Sequence, residues 1–98
     1  MKIDKKALEF EWDKGNIGKN KKHNVDDNEA EEVFFDQNKV TFPDIIHSTE
    51  SEERLRIIGK TKNGRLVFIV FTRRSQKIRI ISARDVNRKE VPLYEKTT

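Results

Sequence analysis

The chain of 98 residues contains no cysteine. Neither a disulfide framework nor a thiolate nucleophile is therefore available to it. No apolar run approaches the roughly 20 residues needed to cross a bilayer, and the N-terminus lacks the apolar core of a secretory signal. A soluble, cytoplasmic protein is the expectation. Only two histidines are present, His23 and His47, with no close ligand spacing, so neither a metal site nor a cofactor is expected. Internal repeats and low-complexity tracts are absent. The length suits one domain, residues 1–98, with a single core.

Charge, by contrast, is abundant and unevenly placed. Hydrophobic residues make up 34% of the chain and charged residues 39%, so the surface must be densely charged. Residues 26–53 carry ten Asp/Glu against one Lys, net −9, and residues 54–98 carry 13 Lys/Arg against three Asp/Glu, net +10. A basic C-terminal half suits a polyanion or an acidic partner. It can also simply balance the acidic segment within the fold.

Local patterns predict the elements. Leu8-Glu9-Phe10-Glu11-Trp12 alternates like a half-buried strand. Asp13 can cap a helix over Lys14–His23 that Gly15 and Gly18 weaken, and Asn24 can end it in the left-handed conformation. Asp26 with Glu29 opens a second helix, whose stripe is Ala30, Val33 and Phe34 and whose carboxylates face water. Strands follow at Lys39–Phe42, Arg54–Thr61, Leu66–Phe71 and Lys77–Ala83, with turns at Asn63-Gly64 and Arg73–Gln76. A last amphipathic helix spans Val86–Glu95, stopping or kinking at Pro92. The order is β-α-α-β-β-β-β-α, an α+β fold with a small antiparallel meander packed against helices.

The segment Ile78–Arg84 is the most informative. Strict alternation puts Arg79, Ile81 and Ala83 on one face and Ile78, Ile80, Ser82 and Arg84 on the other. Guanidiniums among isoleucines must reach a rim or bind something, because a buried unpaired charge is too costly.

The assembled motifs resemble the BrnT family of type II toxins. The matching residues are Phe10-Glu11-Trp12-Asp13, Asn20, Lys22-His23, Ala30, Val33-Phe34, Asp36, His47-Ser48, Glu53-Arg54, Ile58-Gly59, Arg73, Ile78–Arg84, Arg88, Glu90 and Tyr94. Asn24 stands where the family usually has glycine. The resemblance implies a RelE-like fold and a ribonuclease toxin that cleaves RNA without a metal and inhibits translation and growth. It also implies neutralisation by a BrnA-type ribbon-helix-helix antitoxin, with operator DNA reached only through that partner.

Metal-independent RNA cleavage needs the 2′-hydroxyl deprotonated, the phosphate charge stabilised and the leaving oxygen protonated. Arginine suits the second task. With the resemblance in hand, Arg73, Arg79 and Arg84 are the candidates to converge on a phosphate, and Glu53 is the candidate base or the orienter of Arg54. Lys22, His23, Arg54, Arg88 and Tyr94 are candidate RNA contacts. His23 can act in acid–base chemistry or merely close its helix, and His47, in a loop, is a third option. Trp12 and Tyr94 can stack on bases or belong to the core. The alternative function is a non-catalytic nucleic-acid-binding or co-repressor module. A third is an adaptor for an acidic protein.

Overall fold

The computed structural model describes residues 8–96. The expectation about a leader segment falls largely on residues outside that range. A 3₁₀-helix, Lys19–His23, precedes helix α1, Asp27–Val33. Four strands follow: β1 Val40–Pro43, β2 Arg54–Lys60, β3 Leu66–Arg74 and β4 Lys77–Asp85, then helix α2, Val91–Glu95. The strands form one antiparallel sheet in the order β1-β2-β3-β4. The α+β meander is as expected.

The differences have physical reasons. Leu8–Trp12 forms no strand, only a parallel bridge between Phe10 and Ile78. The alternation there reflects packing of Leu8, Phe10 and Trp12 against the core. Lys14–Gly18 makes turns rather than helix, with Gly18 at φ 67°. The last helix is short, and Pro92 sits in its first turn, where a missing N–H costs nothing. Pro43 closes β1, an edge strand that tolerates it.

One face of the sheet carries the main core. Ile57, Val67, Ile69, Phe71, Ile78, Ile80 and Ala83 pack against Val25, Ala30, Val33 and Phe34. A side chain at Gly59 would bring its Cβ within 2.9 Å of Val33 Cγ1, so glycine there lets α1 lie close on β2. The carboxylates of α1 are bound rather than solvated. Glu31 accepts the Trp12 indole N–H at 2.6 Å, Asp27 the Gly18 amide at 3.0 Å and Glu32 the Lys62 amide at 3.0 Å. Glu29 accepts the Asp26 amide at 3.1 Å, as the capping pattern predicts. Much of the acidic segment thus staples the fold.

β4 is the other edge, and the N-terminal segment seals it. Ile78 donates its amide to the Glu9 carbonyl and accepts from the Glu11 amide, both at 2.8 Å. Asn16 Nδ2 donates to the Ile80 carbonyl at 3.1 Å, and Asn20 Oδ1 accepts the Ala83 amide at 3.0 Å. Both asparagines are buried. An edge that would otherwise offer unpaired backbone groups to another chain is thereby closed.

The second face is only partly covered. Tyr94 of α2 packs on Ile58 and Phe68 at one end, flanked by Val40, Phe42 and Leu66. The rest is open, and it is where the arginines gather.

Candidate nucleic-acid interface and active site

A β-bulge decides which side chains share this face. Val70 pairs with Ser82 and Phe71 with Ile80, which leaves Ile81 without a register partner. The bulge shifts the alternation by one. Ile78, Ile80 and Ala83 all reach the core, whereas Arg79, Ser82 and Arg84 belong to the opposite face. Strict alternation, which put Arg79 and Arg84 on different faces, is therefore corrected.

Three rows cross the open face: Val40-Ile58-Phe68-Arg84, Phe42-Arg56-Val70-Ser82, and Arg54-Thr72-Arg79. Successive rows lie about 6.6 Å apart at 3.3 Å per residue. The first and third rows are then about 13 Å apart. Four arginines thus stand over a strip of sheet long enough for more than one nucleotide.

A groove of about 370 Å³ runs across these rows, lined by Asp44, His47, Arg54, Arg56, Arg84 and Glu90 over a floor that includes Phe68 and Val70. Each arginine is held. Arg84 makes a two-bond fork to Glu90, both at 2.8 Å, and its guanidinium lies 4.2 Å from the Phe68 ring centre. The Glu90 hydrogen bond raises the Arg84 pKa further, and Arg84 in return holds the Glu90 carboxyl below its ordinary value. Arg56 Nη2 donates to Asp44 at 2.9 Å. Arg54 has a looser partner, Glu52 at 3.7 Å, and its buried Nε has no hydrogen-bond partner among the described residues.

Asp44 anchors the loop at the groove's rim. It is 1% exposed. Burial, the largest influence, pushes its carboxyl up, but hydrogen bonds from Arg56 and His47 outweigh this and the net shift is downward. Both carboxylate oxygens lie 3.0 Å from His47 Nδ1. Ser48 pins the loop to β2, its hydroxyl donating to the Asp44 carbonyl at 2.7 Å and accepting the Arg54 amide at 2.9 Å.

Other candidates lie elsewhere. Arg79 occupies the row of Arg54, but its guanidinium ties the N-terminal segment to β4. It meets Glu11 at 2.9 Å and the two Asp13 oxygens at 2.9 and 3.0 Å. The Asp13 hydrogen bond is the main cause of its raised pKa. A Cβ at Gly15 would sit 2.5 Å from Arg79 Nη2, so this glycine makes room for the fork. Arg73 pairs with Ile78, and the alternation of β3 puts it on the core face with Phe71. Arg73, Arg79 and Arg84 do not converge on one point. Glu53 is exposed, and its backbone carbonyl takes the Thr72 hydroxyl at 2.7 Å. The carboxylates beside the groove arginines are instead Asp44, Glu52 and Glu90.

Lys22 and His23 are exposed on the 3₁₀-helix, where Arg65 Nη2 donates to the His23 carbonyl at 3.3 Å. Arg88 is exposed in the loop before α2. Tyr94 is 3% exposed and donates to Asp36 at 2.7 Å, so it is a core residue with no face for a base. Its hydroxyl is pushed up to about 12 by burial and by that carboxylate. Trp12 also packs against the core. Among the described residues no three His, Asp or Glu side chains gather as a metal-holding group, and no helix is long and apolar enough to cross a membrane. A larger cleft of about 620 Å³ lies between Glu32, Asp36, Lys60 and Lys62, with neither arginine nor histidine in its lining.

Asp44, Arg56 and the pairing of Glu90 with Arg84 were not legible as site features, because only folding brings loop, β2 and β4 together. The alternation of Arg54 and Arg56 with Leu55 and Ile57 is the signal that could have pointed to both arginines on one face.

Residues 12–90 match the family model for the ribonuclease toxin BrnT of type II toxin-antitoxin systems. The chain belongs to the BrnT family. The match contains every groove residue named above and ends before Tyr94. BrnT proteins are ribonuclease toxins, and an antitoxin partner follows from the type II system. A search of curated proteins gives no match.

Proposed function

We propose that this BrnT protein cuts RNA at the arginine groove without a metal ion, so inhibiting translation and growth, on a fold of the RelE-like kind. The observation that carries the reading is the gathering of Arg54, Arg56 and Arg84 around one groove. Glu90 and Asp44 hold two of the forks in place before substrate arrives, which lowers the reorganisation needed when phosphate charge develops. Val70, half-buried, provides an apolar patch on the floor, next to the Phe68 ring that Arg84 covers. Arg79, clamped at the end of the third row, acts by positioning the N-terminal segment rather than by touching phosphate.

The antitoxin we propose is of the BrnA type, with a ribbon-helix-helix part that alone contacts operator DNA. It inhibits by covering the groove. Ile45 and Ile46 support this: they stand 80% and 83% exposed beside His47. Burying either would contribute about 1.5–3 kcal/mol to an interface, while acidic side chains of the partner would meet the arginines.

Induced expression with and without the neighbouring antitoxin frame tests the reading. Growth arrest with fragmented RNA, reversed by co-expression, is expected, and purified protein should cleave RNA in EDTA. Loss of activity on chelation, restored by magnesium, contradicts the metal-free mechanism. RNA binding without cleavage by intact protein would instead establish the co-repressor reading.

A further inference from the structure

We infer that His47 is the general base of the cleavage, with Asp44 as its positioning residue; this rests on the ribonuclease reading above. An ionised carboxylate only accepts, and both Asp44 oxygens lie 3.0 Å from Nδ1. Nδ1 must therefore carry the proton. Neutral imidazole then presents Nε2 as an unprotonated acceptor, and Asp44 stabilises the imidazolium formed when Nε2 takes a proton.

The surroundings supply what such a base requires. The His47 side chain is 59% exposed while Asp44 is 1% exposed, so the ring meets solvent and substrate with its partner fixed beneath. Asp44 is held by Arg56 at 2.9 Å and its loop by the Ser48 clamp. The charged groups that share the groove with His47 are Asp44 on its own loop, Arg54 and Arg56 on β2, Arg84 on β4 and Glu90 before α2. His47 thus lines the same groove as the arginines that would hold a phosphate.

The step balances without a further reactant except water. Nε2 takes the proton of the 2′-hydroxyl, and the O2′–P bond forms. The P–O5′ bond breaks, the 5′ oxygen takes a proton from water, and the hydroxide so formed takes the proton from the imidazolium, which restores water and neutral His47. The products are a 2′,3′-cyclic phosphate and a 5′-hydroxyl.

Single-turnover cleavage of a single-stranded RNA by the purified full chain tests the inference, across pH, for wild type, His47→Ala and His47→Gln. Glutamine can still donate to Asp44 but takes no proton. Both variants should fold, since the ring is exposed, and circular dichroism checks this. Cleavage should fall about a hundredfold or more. The acid limb of the rate–pH profile should disappear in both. Added imidazole should restore part of the His47→Ala activity, and binding of a 2′-deoxy analogue should be unchanged. A folded His47→Gln protein that cleaves like wild type, or keeps the acid limb, overturns the base assignment while leaving the ribonuclease reading standing. A wild-type protein that cleaves no RNA overturns the ribonuclease reading itself, and the base with it.

Discussion

Replacing Tyr94 with phenylalanine separates structure from RNA contact. The ring stays in the core with Ile58 and Phe68, and only the hydroxyl bound to Asp36 at 2.7 Å is lost. A hydrogen bond to a charged group contributes about 1.5–3 kcal/mol. Asp36 keeps the Lys60 and Asn38 amides, at 2.8 and 2.9 Å, so about 2 kcal/mol is expected at neutral pH. For a domain of this size that lowers Tm by on the order of 10 °C. The pH dependence adds an independent check. The hydroxyl is raised from 10.0 to about 12 in the fold. A group raised in the folded state contributes its stability below the unfolded pKa and loses it as pH rises through the folded one. A shift of that size is worth about 3 kcal/mol. The gap between wild type and Tyr94→Phe should therefore close as pH rises from about 10 toward 12. Lysines titrate there too, but they are common to both proteins and cancel. Denaturant midpoints measured against pH give the difference directly, and cleavage per folded molecule should be unaltered. An unchanged Tm, or a gap independent of alkaline pH, refutes the reasoning. Lost cleavage in a stable protein would return Tyr94 to the RNA contacts.

Gly15→Ala should loosen the Arg79 clamp by steric pressure on Nη2 and cost about 1–3 kcal/mol, read as a lower melting temperature. Asn20→Ala should leave the Ala83 amide on β4 unsatisfied, costing about 1–3 kcal/mol and speeding its hydrogen exchange. Acidification should also destabilise. Asp44, Asp36 and Glu90 are all held below their ordinary values. Their stabilisation is therefore present above the normal carboxylate range and is lost as pH falls through the folded values. A denaturant midpoint constant down to about pH 2 would contradict this.

The meander was legible because its signals are local. The apolar Leu66–Phe71 run marked an inner strand, though its second face is only partly covered, and Asn63-Gly64 marked a turn, with Gly64 at φ 83°. Asp26 and Glu29 marked the start of α1. The bulge at Ile81 was not legible, since it depends on how β3 and β4 settle their register. That one residue changed which arginines share a face. Leu8–Trp12 misled because alternation reports burial of every second side chain, and a segment lying along an edge strand has the same burial without a ladder. Arg79 and Arg84 were recognised as guanidiniums needing partners. That one would bind Asp13 is long-range information. The Arg84–Glu90 and His47–Asp44 contacts are closer in sequence, six and three residues apart, but lie where a loop gives no helical or strand pattern to point at them.

Face specificity tests the central claim most directly. Purified wild type, Arg54→Ala, Arg84→Ala and Arg73→Ala should be compared for single-turnover RNA cleavage in EDTA, with folding checked by circular dichroism. Arg54 and Arg84 line the groove, and Arg73 belongs to the opposite face of the same sheet. The account predicts losses of about a hundredfold or more for the two groove variants and near-wild-type rates for Arg73→Ala. Full activity in Arg54→Ala and Arg84→Ala, or a loss confined to Arg73→Ala, would contradict it.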